Sequence, residues 1–119
     1  MGKLSITLNG SEVKNIYPLV TIAVSALACG DEVVIFVLPA GLPVFVKGKI
    51  AELNAVAPNL PDLEEMYEGL EALGAQILIC ELGFEVHGLK EEDLIEGVEV
   101  VGATTFVARA QGSDLTFSF

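Results

Sequence analysis

The 119-residue sequence is poor in positive charge, with six Lys and Arg residues against 17 Asp and Glu and a formal net charge of −11. Proteins that bind nucleic acid by neutralising phosphates, or that bind an anionic membrane surface, need a basic face. We therefore predict no nucleic-acid partner and no membrane partner.

Long hydrophobic runs and targeting signals are also absent. The longest apolar stretch near the amino end, residues 16–30, contains Pro18 and stops before Asp31 and Glu32. A transmembrane helix needs about 20 apolar residues, and no basic, cleavable signal segment precedes the stretch. These absences predict a cytoplasmic protein.

Metal-binding and redox motifs are missing as well, since the chain has only two cysteines and one histidine. No Cys-x-x-Cys, Cys-His cluster or His-Glu-x-x-His spacing occurs, so we predict no metal site. In a reducing compartment Cys29 and Cys80 are expected to be thiols rather than a structural disulfide. The absence of a Gly-x-Gly-x-x-Gly or phosphate loop argues against a nucleotide or flavin module.

What the sequence has in abundance is apolar side chains, at 52% of residues, with charged residues at only 19%. A chain of this length predicts a single domain, residues 1–119. Such a composition leaves apolar surface for other subunits and favours a homo-oligomer, although a parallel sheet buried on both faces also raises apolar content.

Alternating strand-like and helix-like segments indicate the fold class. We predict strands at residues 4–8, 33–38, 75–80, 98–101 and 115–119, with helices at 15–29 and 61–74, a short one near 89, and one reaching about 110. Residues 42–61 are irregular but apolar, which predicts a packed flap. Strands separated by helices imply right-handed crossovers, so we predict an α/β fold: a three-layer α/β/α sandwich with a mainly parallel five-stranded sheet.

The stretch 77–94 is the most informative, because an apolar run ends there on Cys80 and gives way to a turn. Such a run places Cys80 at the carboxyl edge of a parallel sheet, where ligands collect. The alternative is that Cys80 is buried as a small hydrophobe. Cys29 is predicted at the opposite edge in a structural role, roughly 17 Å away and too far to form a disulfide.

The surroundings of Cys80 leave its ionisation open. A helix predicted to start at Leu82 or Gly83 favours the thiolate, whereas the adjacent Glu81 opposes it by a similar amount. His87 would lie about 10 Å along that helix, so direct contact is not expected. His87 is then either a pocket or interface residue, or an ordinary surface histidine.

On these residues the chain resembles the DsrE/DsrF-like sulfur-relay family over most of its length. The resemblance is carried by the spacing of a few residues around the strand-end cysteine: Cys80, Gly88, Leu89, Leu94 and Gly97. The segment 98–106 that follows, the segment 26–36, and the pairs 41–42 and 47–48 support it.

The resemblance implies a small α/β/α subunit that forms a homotrimer or a multiple of it. It also implies a sulfurtransferase or persulfide carrier, in which Cys80 holds sulfane sulfur and passes it to a partner thiol without a cofactor. Donor and acceptor proteins are implied as partners. The acidic chain favours a basic one, such as a sulfur carrier of the TusA type.

A predicted pocket accompanies Cys80 on this reading, formed by residues of the two loops that follow the second and third strands: Gly41, Leu42, Gly83, Phe84, His87 and Gly88. Lys47 and Lys49 are placed to steer an anionic sulfur donor or an acidic partner. The alternative function is a non-catalytic oligomeric scaffold or interaction subunit of a sulfur-relay complex, in which Cys80 is incidental.

Overall fold

Five strands form one sheet in the order β4-β3-β2-β1-β5 in the computed structural model, which describes residues 2–119. The strands are β1 (Lys3–Leu8), β2 (Glu32–Val37), β3 (Gln76–Cys80), β4 (Val98–Val101) and β5 (Leu115–Ser118). All four strand pairs are parallel. The predicted α/β class and its parallel sheet are therefore confirmed.

Five α-helices cover the sheet: α1 (Val13–Ala28), α2 (Lys49–Ala55), α3 (Leu63–Ala72), α4 (Leu82–His87) and α5 (Ala103–Ala110). Two 3₁₀ helices, Pro39–Phe45 and Glu91–Asp93, complete the connections. No helix within these residues is long and apolar enough to cross a membrane.

The two faces of the sheet differ in the number of buried side chains that they carry. The larger core joins α1 and α3 to alternate residues of the sheet, among them Ile35 and Ile79, both fully buried. The smaller cluster on the other face contains Val34, Phe36, Leu78, Cys80 and Val101. The period of two along each strand assigns alternate residues to the two faces, and the faces differ because α1 and α3 have buried residues whereas α5 has none.

Helix α5 covers the smaller face through one aromatic contact and one ion pair. Phe106 stacks on Phe36 with ring centroids 4.7 Å apart. Arg109 donates two hydrogen bonds to Glu99 of β4, at 2.8 and 2.7 Å. These bonds to a planar guanidinium lower the pKa of Glu99.

The segment predicted as an irregular flap is more regular than expected. It is packed, with Leu42, Val44, Phe45 and Leu53 buried, but it contains most of the Pro39–Phe45 3₁₀ helix and the whole of α2. Helix α2 was missed because it has seven residues and begins on Gly48 (φ +86°) without a side-chain cap.

Other local predictions were wrong in detail. No α-helix begins near Leu89, because Gly88 ends α4 in the left-handed conformation and only the Glu91–Asp93 turn follows. The helix predicted at residues 61–74 would place Leu73 on the same side as the buried Leu70, yet Leu73 is 52% exposed. It follows the last helical residue and caps the helix, so its side chain does not continue the buried side of α3.

Replacing Gly69 with alanine is predicted to raise the free energy of unfolding by about 0.5–1 kcal/mol, because glycine in a helix interior is entropically costly. Gly69 lies within α3, and a Cβ added there meets no atom within 4 Å. Urea unfolding measures the change. The matched control is Gly74→Ala, which is expected to destabilise because Gly74 has φ +90°; loss of stability in Gly69→Ala would contradict the prediction.

Candidate functional site

Cys80 is the last residue of β3, at the carboxyl edge of the sheet. It is paired in register with Val101 of β4, and the Glu81 amide donates to the Val101 carbonyl at 3.1 Å. The Cys80 side chain is only 4% exposed and lies in the smaller cluster with Phe36 and Leu78. In the single chain the thiol is thus at the expected edge but enclosed in an apolar environment.

The walls of this enclosure come from strands and helix α5 that are distant in sequence. Phe36 and Phe106, which stack on each other, belong to the same cluster as Cys80. Neither residue was predicted from the sequence. A period of two along β2 and β3 places Phe36 on the face of Cys80, but which helix covers that face depends on the tertiary fold.

Three strand ends meet beside Cys80, because β2, β3 and β4 are parallel neighbours. Leu38, which follows β2, packs against the cluster of Cys80. The Glu81 carboxylate lies near the start of α5, where a Cβ added to Gly102 would be 3.6 Å from Glu81 Oε1. The Glu81 carboxylate therefore lies beside Gly102, the residue that precedes α5.

Three of the predicted pocket residues are packing residues in this chain. Gly41, Leu42 and Gly83 are buried at the junction between the Pro39–Phe45 3₁₀ helix and α4. A Cβ at Gly41 would be 2.8 Å from the Leu8 carbonyl oxygen, and one at Gly83 would be 2.9 Å from Leu42 Cδ2. Glycine is required here so that these segments can approach closely.

The other predicted residues lie along α4 and point to different surroundings. Phe84 is half-buried against the larger core, and Gly88 (φ +64°) ends the helix. His87 is exposed, and its Nε2 lies 2.6 Å from the Pro39 carbonyl oxygen. Since a carbonyl only accepts, Nε2 must donate. His87 also lines a recess with Lys47 and Lys49 that does not include Cys80.

Cys29 lies outside this region. It caps α1 just before β2 begins, and it is exposed. Both cysteines are free thiols, which confirms that they do not pair within the chain. The structural role predicted for Cys29 is not supported, because its side chain contributes nothing to the core. No group of three or more His, Cys, Asp or Glu in the described part of the chain is arranged to hold a metal ion.

Gly41→Ala is predicted to lower the free energy of unfolding by about 1–3 kcal/mol, the usual cost of overpacking, because its Cβ would meet the Leu8 backbone. Urea or thermal unfolding measures this loss. Gly69→Ala, with open space around its Cβ, is the control for the substitution itself. Equal stability of Gly41→Ala and the unmodified chain would show that the junction tolerates a methyl group.

Comparison with known proteins finds a matching family model and relatives of similar sequence. The family model described as the DsrE/DsrF/DrsH-like family matches residues 46–117. Uncharacterized protein MJ0989 of Methanocaldococcus jannaschii is 34% identical over 103 residues, which is 87% of this chain and 85% of that protein. Uncharacterized protein MJ0760 of the same organism is 29% identical over 101 residues. The chain spans only 36% of the length of MJ0760.

Solved structures support the same fold. The ychN protein from E. coli superimposes with a TM-score of 0.78 at 17% identity, covering 100% of both chains. MTH1491 from Methanobacterium thermoautotrophicum, a protein of unknown function, gives 0.75 at 15% identity and covers 98% of this chain and 99% of its own. At these identities the likeness concerns the fold alone.

Proposed function

The chain belongs to the DsrE/DsrF/DrsH-like family, and from this membership we propose that it is a sulfur carrier that holds sulfane sulfur as a persulfide on Cys80. The observation that carries the proposal is the position of Cys80 as the last residue of β3, in an apolar cluster at the carboxyl edge of the sheet. This edge is where open α/β sheets place their reactive groups.

The proposed cycle has two exchanges. The Cys80 thiolate attacks the outer sulfur of a donor persulfide, a new S–S bond forms on Cys80, and the donor's inner sulfur leaves as a thiolate. An acceptor thiolate then attacks the outer sulfur on Cys80, takes it as its own persulfide and releases the Cys80 thiolate. Neither exchange needs an external oxidant or reductant, because sulfane sulfur only changes its thiolate partner.

The burial of Cys80 is compatible with a carrier that protects its cargo. Persulfides and thiolates are oxidised more readily when exposed, and Cys80 is only 4% exposed. Transfer then requires the smaller face to open. Helix α5 is suited to this, since it has no buried residue of its own and is held by the Phe106 stack and the Arg109–Glu99 pair.

The partners we propose are a donor and an acceptor protein, with a basic carrier of the TusA type as the acceptor or donor. The net charge of −11 supports a basic partner, because complementary charge raises the association rate. We also propose a homotrimer or a multiple of it. Exposed apolar side chains on α4 support assembly: Leu82 is 67% exposed and Val86 69%.

A second candidate function is a non-catalytic scaffold subunit of a sulfur-relay complex. The observation that favours it is again the enclosure of Cys80, whose thiol is 4% exposed and packs as a small hydrophobe does. In the scaffold the same exposed apolar side chains would serve assembly, while Cys80 would remain unmodified.

Incubation with polysulfide is predicted to add sulfur to Cys29→Ser protein, as read by intact mass, and the double variant Cys29→Ser with Cys80→Ser is the matched blank. Both proteins lack the exposed thiol of Cys29, which polysulfide can modify directly, so the added mass reports on Cys80 alone. A reducing agent should remove the added mass. No loading of Cys29→Ser protein would contradict the carrier mechanism and favour the scaffold.

Light scattering during gel filtration is predicted to give a mass of three chains or a multiple of it. The double variant Leu82→Glu with Val86→Glu should shift the protein toward smaller species, since each carboxylate would be buried at the interface without a partner. Val56→Glu is the control, because Val56 is also exposed, at 71%, but lies at the end of α2 and not on α4. A monomeric unmodified chain at micromolar concentration would refute the assembly.

A further inference from the structure

Several of the few basic residues of this chain line one recess at the carboxyl edge of the sheet. Lys47, Lys49 and His87 line a recess of about 480 Å³ between the 3₁₀ helix, the start of α2 and the end of α4. The whole sequence has six Lys and Arg and one His. Two of those cations and the only imidazole therefore meet at one place in a strongly acidic protein.

The charge of this recess is only partly neutralised. Glu52 lines it and pairs with Lys49 at 3.8 Å, an exposed contact. Among residues 2–119, Lys47 Nζ has no carboxylate within ion-pair distance. The recess itself thus holds two lysines against one carboxylate, while Lys47 also borders a second recess lined by Glu64, Glu68, Glu71 and Glu96.

His87 is held in a defined orientation beside these lysines. Its Nε2 donates to the Pro39 carbonyl at 2.6 Å, which occupies one ring nitrogen and leaves Nδ1 for another partner. The remaining walls include the apolar side chains of Pro43, Val46 and Leu89. None of the lining residues belongs to the cluster around Cys80.

We propose that this recess, which we call the basic recess, binds a small divalent oxyanion, either free or as the charged group of a small organic molecule. Two ammonium groups match a doubly charged group that accepts several hydrogen bonds, and His87 adds a donor through Nδ1 when its ring is an imidazolium. The apolar walls favour an organic substituent over a bare ion. The inference does not depend on persulfide chemistry, because it uses no atom of Cys80.

The single histidine makes a direct test possible. In Cys80→Ser protein at constant ionic strength, the ring-proton NMR signals of His87 are followed during titration with inorganic phosphate, sulfate or phenyl phosphate. Saturable shifts are expected with the divalent oxyanions and not with chloride. Tighter binding of phenyl phosphate would identify an organic anion as the natural class, and equal binding would identify a free oxyanion.

Lysine variants assign the shifts to the basic recess. Lys47→Gln and Lys49→Gln are each expected to weaken binding about fivefold, the upper range for an exposed charge pair. Lys3→Gln makes the same charge change at the start of β1, outside the basic recess, and should leave binding unchanged. Matching thermal unfolding of the variants shows that they fold.

Absence of saturable His87 shifts with every divalent oxyanion would overturn the proposal. Equal weakening by Lys3→Gln would also overturn it, since the effect would then be one of net charge. Because the measurement is made without Cys80, its failure leaves the sulfur-carrier proposal untouched, and failure of sulfur loading leaves this proposal untouched.

Discussion

The burial of β2 beyond its first residue is the constraint on which the rest of the structure depends. Residues 33–37 are all buried, with β1 and β3 paired on either side. A parallel strand covered on both faces requires crossovers that return the chain to the amino edge each time. The carboxyl ends of β2, β3 and β4 therefore meet at one edge. Cys80, the buried glycine junction and the basic recess all lie where these strands end.

This constraint explains why much of the fold could be predicted from the sequence. The apolar run of β2 and the glycines after α1 and α3 are local signals, so the strands and long helices were predicted close to their observed bounds. Helix α2 was not predictable in the same way, because Gly48 begins it without a cap and seven residues carry little periodicity. The strand order was also out of reach, since non-local pairing decides it.

The candidate site, like the fold, was predictable only where its features depend on local sequence. The strand-end position of Cys80 follows from the apolar run and the turn, which are local. Its enclosure does not, because it depends on Phe106 of α5 stacking on Phe36 of β2, two residues far apart in sequence. Gly41 and Gly83 were predicted near the thiol, yet the structure uses them for close approach to Leu8 and Leu42. The sequence indicates that these glycines lie near Cys80, but it does not show whether they allow close packing or line a binding pocket.

The unequal faces of the sheet connect stability with access to Cys80. Helices α1 and α3 contribute fully buried side chains such as Leu19 and Leu70 to the larger core, whereas α5 contributes none. Burial of an apolar side chain stabilises by about 1.5–3 kcal/mol, so displacing α5 costs far less than unfolding the opposite face. Local opening concentrates in such weakly packed elements. Cys80 belongs to the cluster against which Phe106 of α5 packs, so the opening of α5 that we propose for sulfur transfer would leave the larger core intact.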